Sequence, residues 1–293
     1  MGQYCHPNSP AGGGGPGKFV SPTILGFDGL ASDSRFHPLS PASRYLTAQD
    51  YQKHFEGGNF NIEKIPGLMS SKGWPMGAAL MSSWFARSPR IAPDYDTPGV
   101  ALVSVDWILK FDRAKSVYDK IISERLWRNS AAINAIKGML KSKGLLKLEV
   151  GKSASFGDFT RTALELHQDH VNHRLVDYSV IFDDDMDAAL GNFSFYILIK
   201  GSVRRQKGSS VELTINSIGI YIKDSYDFND EQLLGYWSED DYNISTRNIF
   251  KGVKVSNADF RRWRDIHLHG GDFLILSDIK EVHLPVPDIF PIP

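Results

Sequence analysis

Apolar residues recur with two different periods along the chain, and the change from one to the other divides it. Over 74–86, Leu80, Met81, Trp84 and Phe85 fall on one helical stripe and Pro75 suits a first turn, which predicts a buried helix. Pro89, Pro93 and Pro98 then interrupt the pattern. Asp112 is placed to cap a helix over 113–125 with Val117, Ile121 and Ile122 inward, and Ile133, Ile136, Met139 and Leu140 mark another over 130–142, closed by Gly144. After Leu145 the period shortens toward two. Strands are expected over 145–150, 175–182, 193–204, 211–222 and 273–276, with a short helix at 185–191 and a basic hairpin tip at 200–210 holding Arg204, Arg205 and Lys207. The expected fold class is α+β, with N-terminal helices followed by a mainly antiparallel β-sheet or partly open barrel.

Composition changes the picture at the N-terminus. Residues 1–18 contain Ala11-Gly-Gly-Gly-Gly-Pro-Gly17, too polar and glycine-rich to bury apolar surface, and read as a flexible leader. Residues 19–73 read as a loop-rich wrapping segment with one helical candidate at 47–55. Residues 74–293 then make a single α+β domain, helical over 74–144 and strand-rich over 145–285. No secretory signal pattern precedes them, and no apolar run approaches the ~20 residues of a membrane span, so residence in the cytoplasm is expected when the protein is made. Charge narrows the partners: 33 Lys+Arg against 34 Asp+Glu leave a formal net charge of -1, which gives no bulk attraction for nucleic acid. Cys5 is the single cysteine, which excludes intrachain disulfides and cysteine-based zinc sites.

Candidate chemistry gathers where the alternation of 211–222 ends, at Asp224-Ser-Tyr226-Asp227-Phe-Asn-Asp230. Paired carboxylates at a strand end can hold a hard divalent cation such as Mg or act as a general base, with Asp224, Asp227 and Asp230 as the metal candidates. An Asx-rich turn accounts for the same aspartates without function. A second group lies in Asn257-Ala-Asp-Phe-Arg261-Arg-Trp-Arg264-Asp-Ile-His267-Leu-His269, where Arg261, Arg264 and His269 could grip phosphate and His267 could protonate a leaving oxygen. Packing of a helix stripe explains that segment equally well. A third is His167-Gln-Asp-His170-Val-Asn-His173, whose spacing admits a metal site or a solvated edge. Walker, Gly-x-Ser-x-Gly, His-Glu-x-x-His and Rossmann patterns do not occur in the sequence.

Two resemblances extend this reading. Trp74-Pro-Met-Gly-Ala-Ala with Trp84-Phe85, Ala188-Ala-Leu-Gly-Asn-Phe193, the strand into Asp224 with Tyr226-Asp-Phe228, Leu234-Gly-Tyr-Trp237, and Asp259-Phe-Arg-Arg-Trp263 with Gly270-Gly-Asp-Phe273 together resemble an uncharacterised bacterial family associated with type VI secretion gene clusters. That resemblance implies an antibacterial effector, a carrier or spike protein, a cognate immunity protein and possible secretion into a target cell. More locally, Asp224-Ser-Tyr226-Asp227 is similar to the Asp-x-Tyr-Asp core of colicin M-type bacteriocins, which implies divalent-cation-assisted cleavage of a phosphate-containing cell-wall precursor. The His-Arg pair that follows that core in those bacteriocins has no counterpart at its place here. The expected function is therefore a toxin that hydrolyses an envelope substrate, with Asp224, Asp227, Tyr226 and His267 as its catalytic set. The alternative is a non-catalytic secretion-associated binding or adaptor protein.

Overall fold

A computed structural model describes residues 60–94, 103–177, 184–208, 210–238 and 252–292. The leader at 1–18, the helix expected at 47–55 and most of the wrapping segment lie outside the described residues. At the centre stands a hairpin of two long strands, β4 (Phe193–Arg205) and β5 (Val211–Tyr226), paired antiparallel from Ser194↔Lys223 to Arg205↔Val211. The expected basic tip is shorter than 200–210, because strand pairing continues to Arg205. A bulge follows Lys200, and Gly201 sits in it with no room for a side chain: a Cβ there would lie 1.9 Å from the Thr214 carbonyl oxygen.

Around this hairpin the described residues form one seven-stranded sheet. β2 (Ser153–Phe156) and β3 (Asn172–Val176) pair with β4, while β8 (Gly271–Leu276) and β9 (Lys280–Ile292) take successive lengths of the far edge of β5. β1 (Arg90–Asp94) joins β8 in parallel, the one exception to the antiparallel pattern. A separate ribbon pairs β6 (Leu233–Trp237) with β7 (Val253–Ser256). The sheet is open, so of the two expected forms the α+β sheet is the one found.

Side-chain alternation gives the sheet two unequal faces. Phe195, Ile197 and Ile199 of β4 pair across Ile222, Ile220 and Ile218 of β5, and this face carries the main core. Onto it pack α1 (Ile65–Ser71), α2 (Pro75–Ala86), α3 (Val105–Ile108), α4 (Asp112–Ser123), α5 (Ser130–Ser142) and α8 (Asn257–His267). The reverse face carries a small second core of Leu198, Tyr221 and Leu276 beneath α6 (Ala163–Leu166). α7 (Asp185–Ala189) lies against α2, and Ala188 crowds Gly77 so closely that a Cβ there would come within 2.9 Å of it.

Several expected boundaries move. The segment 145–150 forms a 3-10 turn, Leu145–Lys147, and the strand begins at Ser153 instead. The strand expected at 175–182 runs as Asn172–Val176, and its remainder lies outside the described residues. Asp112 begins α4 without capping it, since Phe111 holds the N-cap position with no side-chain bond. No helix among the described residues is long and apolar enough to cross a membrane.

Candidate functional site

The alternation that sends Ile218, Ile220 and Ile222 into the main core continues to the end of β5, so Asp224 and Tyr226 point to the same face, opposite Ile275 and Phe273 of β8. A carboxyl thus occupies a position whose neighbours are apolar. Asp224 as a whole is half-buried, yet its Oδ2 is sealed from solvent and has no hydrogen-bond partner; the buried Tyr226 hydroxyl has none either. Burial pushes the Asp224 carboxyl up to about 7, with the charge of Asp227 adding to the rise and Lys223 opposing it. Burial likewise raises Tyr226 far above the usual phenol range, helped by Asp224.

Asp227 follows just past the strand and is also buried. Its Oδ1 accepts the Asn229 backbone N–H at 3.2 Å, which lowers its pKa, but burial wins and the net shift is upward. Asn229 reaches the other way as well, donating Nδ2 to Asp272 Oδ2 at 3.0 Å. Asp272, at the start of β8, is wholly buried, and its Oδ1 accepts both Trp84 Nε1 and an Arg264 guanidinium N–H at 2.9 Å. Burial lifts this carboxyl to about 7, although Arg264 and the Trp84 bond pull it down and Asp227 pushes it up. Two of the carboxyls at this strand end therefore titrate near neutrality. Asp272 and Asn229 are the members that sequence reasoning missed; the one signal for Asp272 was an aspartate heading the apolar run Phe273-Leu-Ile-Leu276.

The two arginines expected to bind substrate are committed to the protein itself. Arg264 is buried, and besides Asp272 it donates to the Arg90 carbonyl at 2.9 Å. Arg261 donates to the carbonyls of Phe228 and Asp230, both at 2.7 Å, and to Glu231 Oε1 at 2.8 Å, and so staples the loop after Asp227 onto α8. His267 and His269 stand exposed at the end of α8, where His267 stacks on Trp263 with ring centroids 4.6 Å apart. They are not brought to the aspartates. The cause is helical geometry: Phe260, Trp263 and Arg264 take the inward stripe, and the helix ends at Leu268 in a left-handed cap that turns the chain outward.

The expected cation cage is not built either. Asp230 is occupied, its carboxylate accepting the Asn257 side-chain amide. Among the described residues no group of three or more His, Cys, Asp or Glu side chains is spaced to hold a metal ion. The same holds for His167, His170 and His173. Their rings pack against one another, His167 and His170 nearly parallel at 16° with centroids 5.0 Å apart, and in-plane lone pairs on stacked rings do not converge on one ion.

Comparison with known proteins bears on this geometry at the level of family alone. Residues 60–291 match the model of a family of unknown function, DUF6402. No curated protein and no solved structure gives a significant match.

Proposed function

The chain belongs to this family of unknown function, DUF6402, a match that carries no activity, and from the site itself we propose that it is an antibacterial effector of an interbacterial secretion system that hydrolyses a phosphate-containing envelope or cell-wall precursor. One observation carries the proposal: a carboxylate oxygen of Asp224 and the hydroxyl of Tyr226 end the central strand buried and without hydrogen-bond partners, beside Asp227. Unsatisfied buried polar atoms cost stability, and two of them side by side at one strand end support a site for chemistry. A carboxyl raised to about 7 at Asp224 with another raised by burial at Asp227 suits general acid–base work, one ionised and its neighbour protonated. In such a reaction the ionised carboxylate takes the proton of the attacking water as its oxygen bonds to phosphorus. The protonated neighbour gives its proton to the departing oxygen as the old P–O bond breaks. His267 has no part in this reading. No step is routed through a metal; among the described residues no group of three or more His, Cys, Asp or Glu side chains is spaced to hold one.

The resemblance to a family associated with type VI secretion supports a carrier or spike protein and an immunity protein as partners. One observation favours the non-catalytic adaptor: the hollow of about 390 Å³ along α4 is lined by Asp112, Lys115, Ser116, Asp119, Lys120 and Ser123, well apart in sequence from the aspartates. Expression in a sensitive bacterium separates the two. The wild-type protein, carried to the periplasm by an added signal peptide, is expected to lyse the cell. Asp224→Ala and Asp227→Ala, shown to be folded by circular dichroism, are expected to be harmless. If the wild type is harmless in both cytoplasm and periplasm, the effector reading fails and the adaptor takes its place.

A further inference from the structure

The reverse face of the sheet holds a second polar cluster, on the opposite side from the Asp224 carboxyl. Tyr196 of β4 is its hub. His167, His170 and His173 lie around it with ring centroids at 5.0, 5.1 and 5.5 Å, and Tyr221 of β5 stacks on it at 5.5 Å. The pairing Ser194↔Lys223 and Tyr196↔Tyr221 puts Lys223 diagonal to Tyr196 on the same face.

What sets this cluster apart is donors without acceptors. The half-buried Lys223 ammonium has no hydrogen-bond or ion-pair partner among the described residues, and neither has the Tyr196 hydroxyl. His167 is 6% exposed, its Nδ1 lies 2.6 Å from the Tyr221 hydroxyl, and its Nε2 is buried with no partner. His170 Nδ1 donates to the His167 carbonyl at 2.6 Å, which fixes that ring. The nearest carboxylates are spent or turned away: Asp169 pairs with Lys143 at 2.7 Å, Glu165 accepts from Thr162 and Arg161, and Asp224 points through to the other face. From β8 the cluster meets only the apolar Leu276.

We propose that this face binds a phosphate-type oxyanion, gripped by the Lys223 ammonium, the Tyr196 hydroxyl and the His167 Nε2–H. Binding selects the tautomer in which Tyr221 donates to Nδ1 and the proton sits on Nε2. A half-buried cation whose one counter-charge, Asp224, acts on it from the other face without touching it is poorly compensated, and an oxyanion supplies several acceptors at once. A metal ion is the wrong guest, since Lys223 repels it and the His167 and His170 rings are stacked. Entry is from the His173 side, where that imidazole is exposed and Tyr196 only half-buried. Burial depresses the pKa values of Lys223, His167, His170 and His173, with Asp224 opposing the shift at Lys223.

The test uses the full chain, inorganic phosphate and calorimetry at pH 7 against chloride at equal ionic strength, with vesicles of phosphatidic acid and of phosphatidylcholine as further arms. Phosphate is expected to bind the wild type and to shift the His167 ring resonances. Lys223→Gln, which breaks no hydrogen bond or ion-pair contact among the described residues, is expected to weaken binding about tenfold or more. Tyr196→Phe, which removes only a hydroxyl, is expected to weaken it by a smaller factor. Binding of free phosphate alone assigns a soluble ligand, and added capture by phosphatidic acid vesicles assigns a headgroup. No phosphate-specific heat in the wild type, or equal binding by both folded variants, overturns the proposal whatever becomes of the Asp224 reading.

Discussion

Asp224 is the residue at which local pattern and local chemistry disagree most. Its place in the alternation of β5 asks for an apolar side chain, and the carboxyl put there responds by holding its proton up to about 7. The sign of the consequence follows from linkage. Below the ordinary value of 3.8 the group is neutral in the folded and the unfolded chain alike. As pH rises, the unfolded chain ionises first, so the stability of the neutral folded form drains away until the folded carboxyl also ionises near 7. Asp224→Asn keeps the shape and removes that slope. Urea unfolding is expected to show the variant close to wild type near pH 4 and more stable at pH 8, by on the order of 1–3 kcal/mol, the usual cost of an unsatisfied buried polar group. The histidines act in the opposite direction, since His167 is depressed to about 3 by burial and its contribution is lost as pH falls below 6.5. Both proteins carry it, so it cancels in the comparison, and parallel curves for the two would show that Asp224 is not held neutral.

At the scale of elements, α2 shows how a helix end can be completed from elsewhere in the chain. Trp74 stands at its N-cap position without a side-chain bond, and the carboxylate of Asp185 serves instead, accepting the N–H groups of Met76 at 3.1 Å and Gly77 at 2.9 Å. Asp184 meanwhile caps its own helix α7 by accepting Asp187 N–H at 2.9 Å. Asp185→Ala is therefore expected to destabilise the protein by about 1–2 kcal/mol, and Asp184→Ala by no more, in chemical denaturation at pH 7. A larger loss for Asp184 would refute the division of roles. The acidic run at 183–187 was legible as helix N-terminal chemistry, but which helix it serves was not, because 108 residues separate Asp185 from Gly77. Helices with a strong apolar stripe and the central hairpin could be read from period alone. β9 could not: Pro285, Pro287 and Pro291 look like breakers, yet they are tolerated because β9 is hydrogen-bonded to β5 alone within the described sheet. The same limit governs the candidate site. Asp224, Tyr226 and Asp227 stood out as polar residues ending an apolar strand, whereas Asp272 is set by partners scattered along the chain, Trp84 among them, 188 residues away.

On the scale of the whole molecule, that Asp272 contact is one of three by which its carboxylate ties separate elements together. The carboxylate joins α2 through Trp84, α8 through Arg264 and the loop after β5 through Asn229, which in turn holds Asp227. Aromatic packing follows the same lines: Phe228 stacks on Phe260 with centroids 4.0 Å apart, and Trp84 meets Phe228 edge-on at 4.8 Å. The buried pair is not a simple source of stability, since burial has already raised Asp272 to about 7 despite Arg264. Its value lies in what happens when one partner is removed. At pH 8, where the wild-type carboxylate is ionised, Arg264→Met removes the cation that holds its pKa down, so the carboxyl must take up a proton or stand as a buried charge facing only an indole and an amide, and the change is expected to cost about 3–5 kcal/mol. Arg264→Met combined with Asp272→Leu removes both charges and leaves Trp84 and Asn229 short of one acceptor each. The double variant is expected to cost less than the sum of the single ones, with a coupling of about 1–3 kcal/mol in a double-mutant cycle. Near pH 5, where Asp272 is protonated, the penalty for Arg264→Met is expected to shrink, because the neutral carboxyl no longer needs the guanidinium. An additive cycle at pH 8, or a penalty that ignores pH, would mean that helix packing alone holds Asn229 and Asp227 in place.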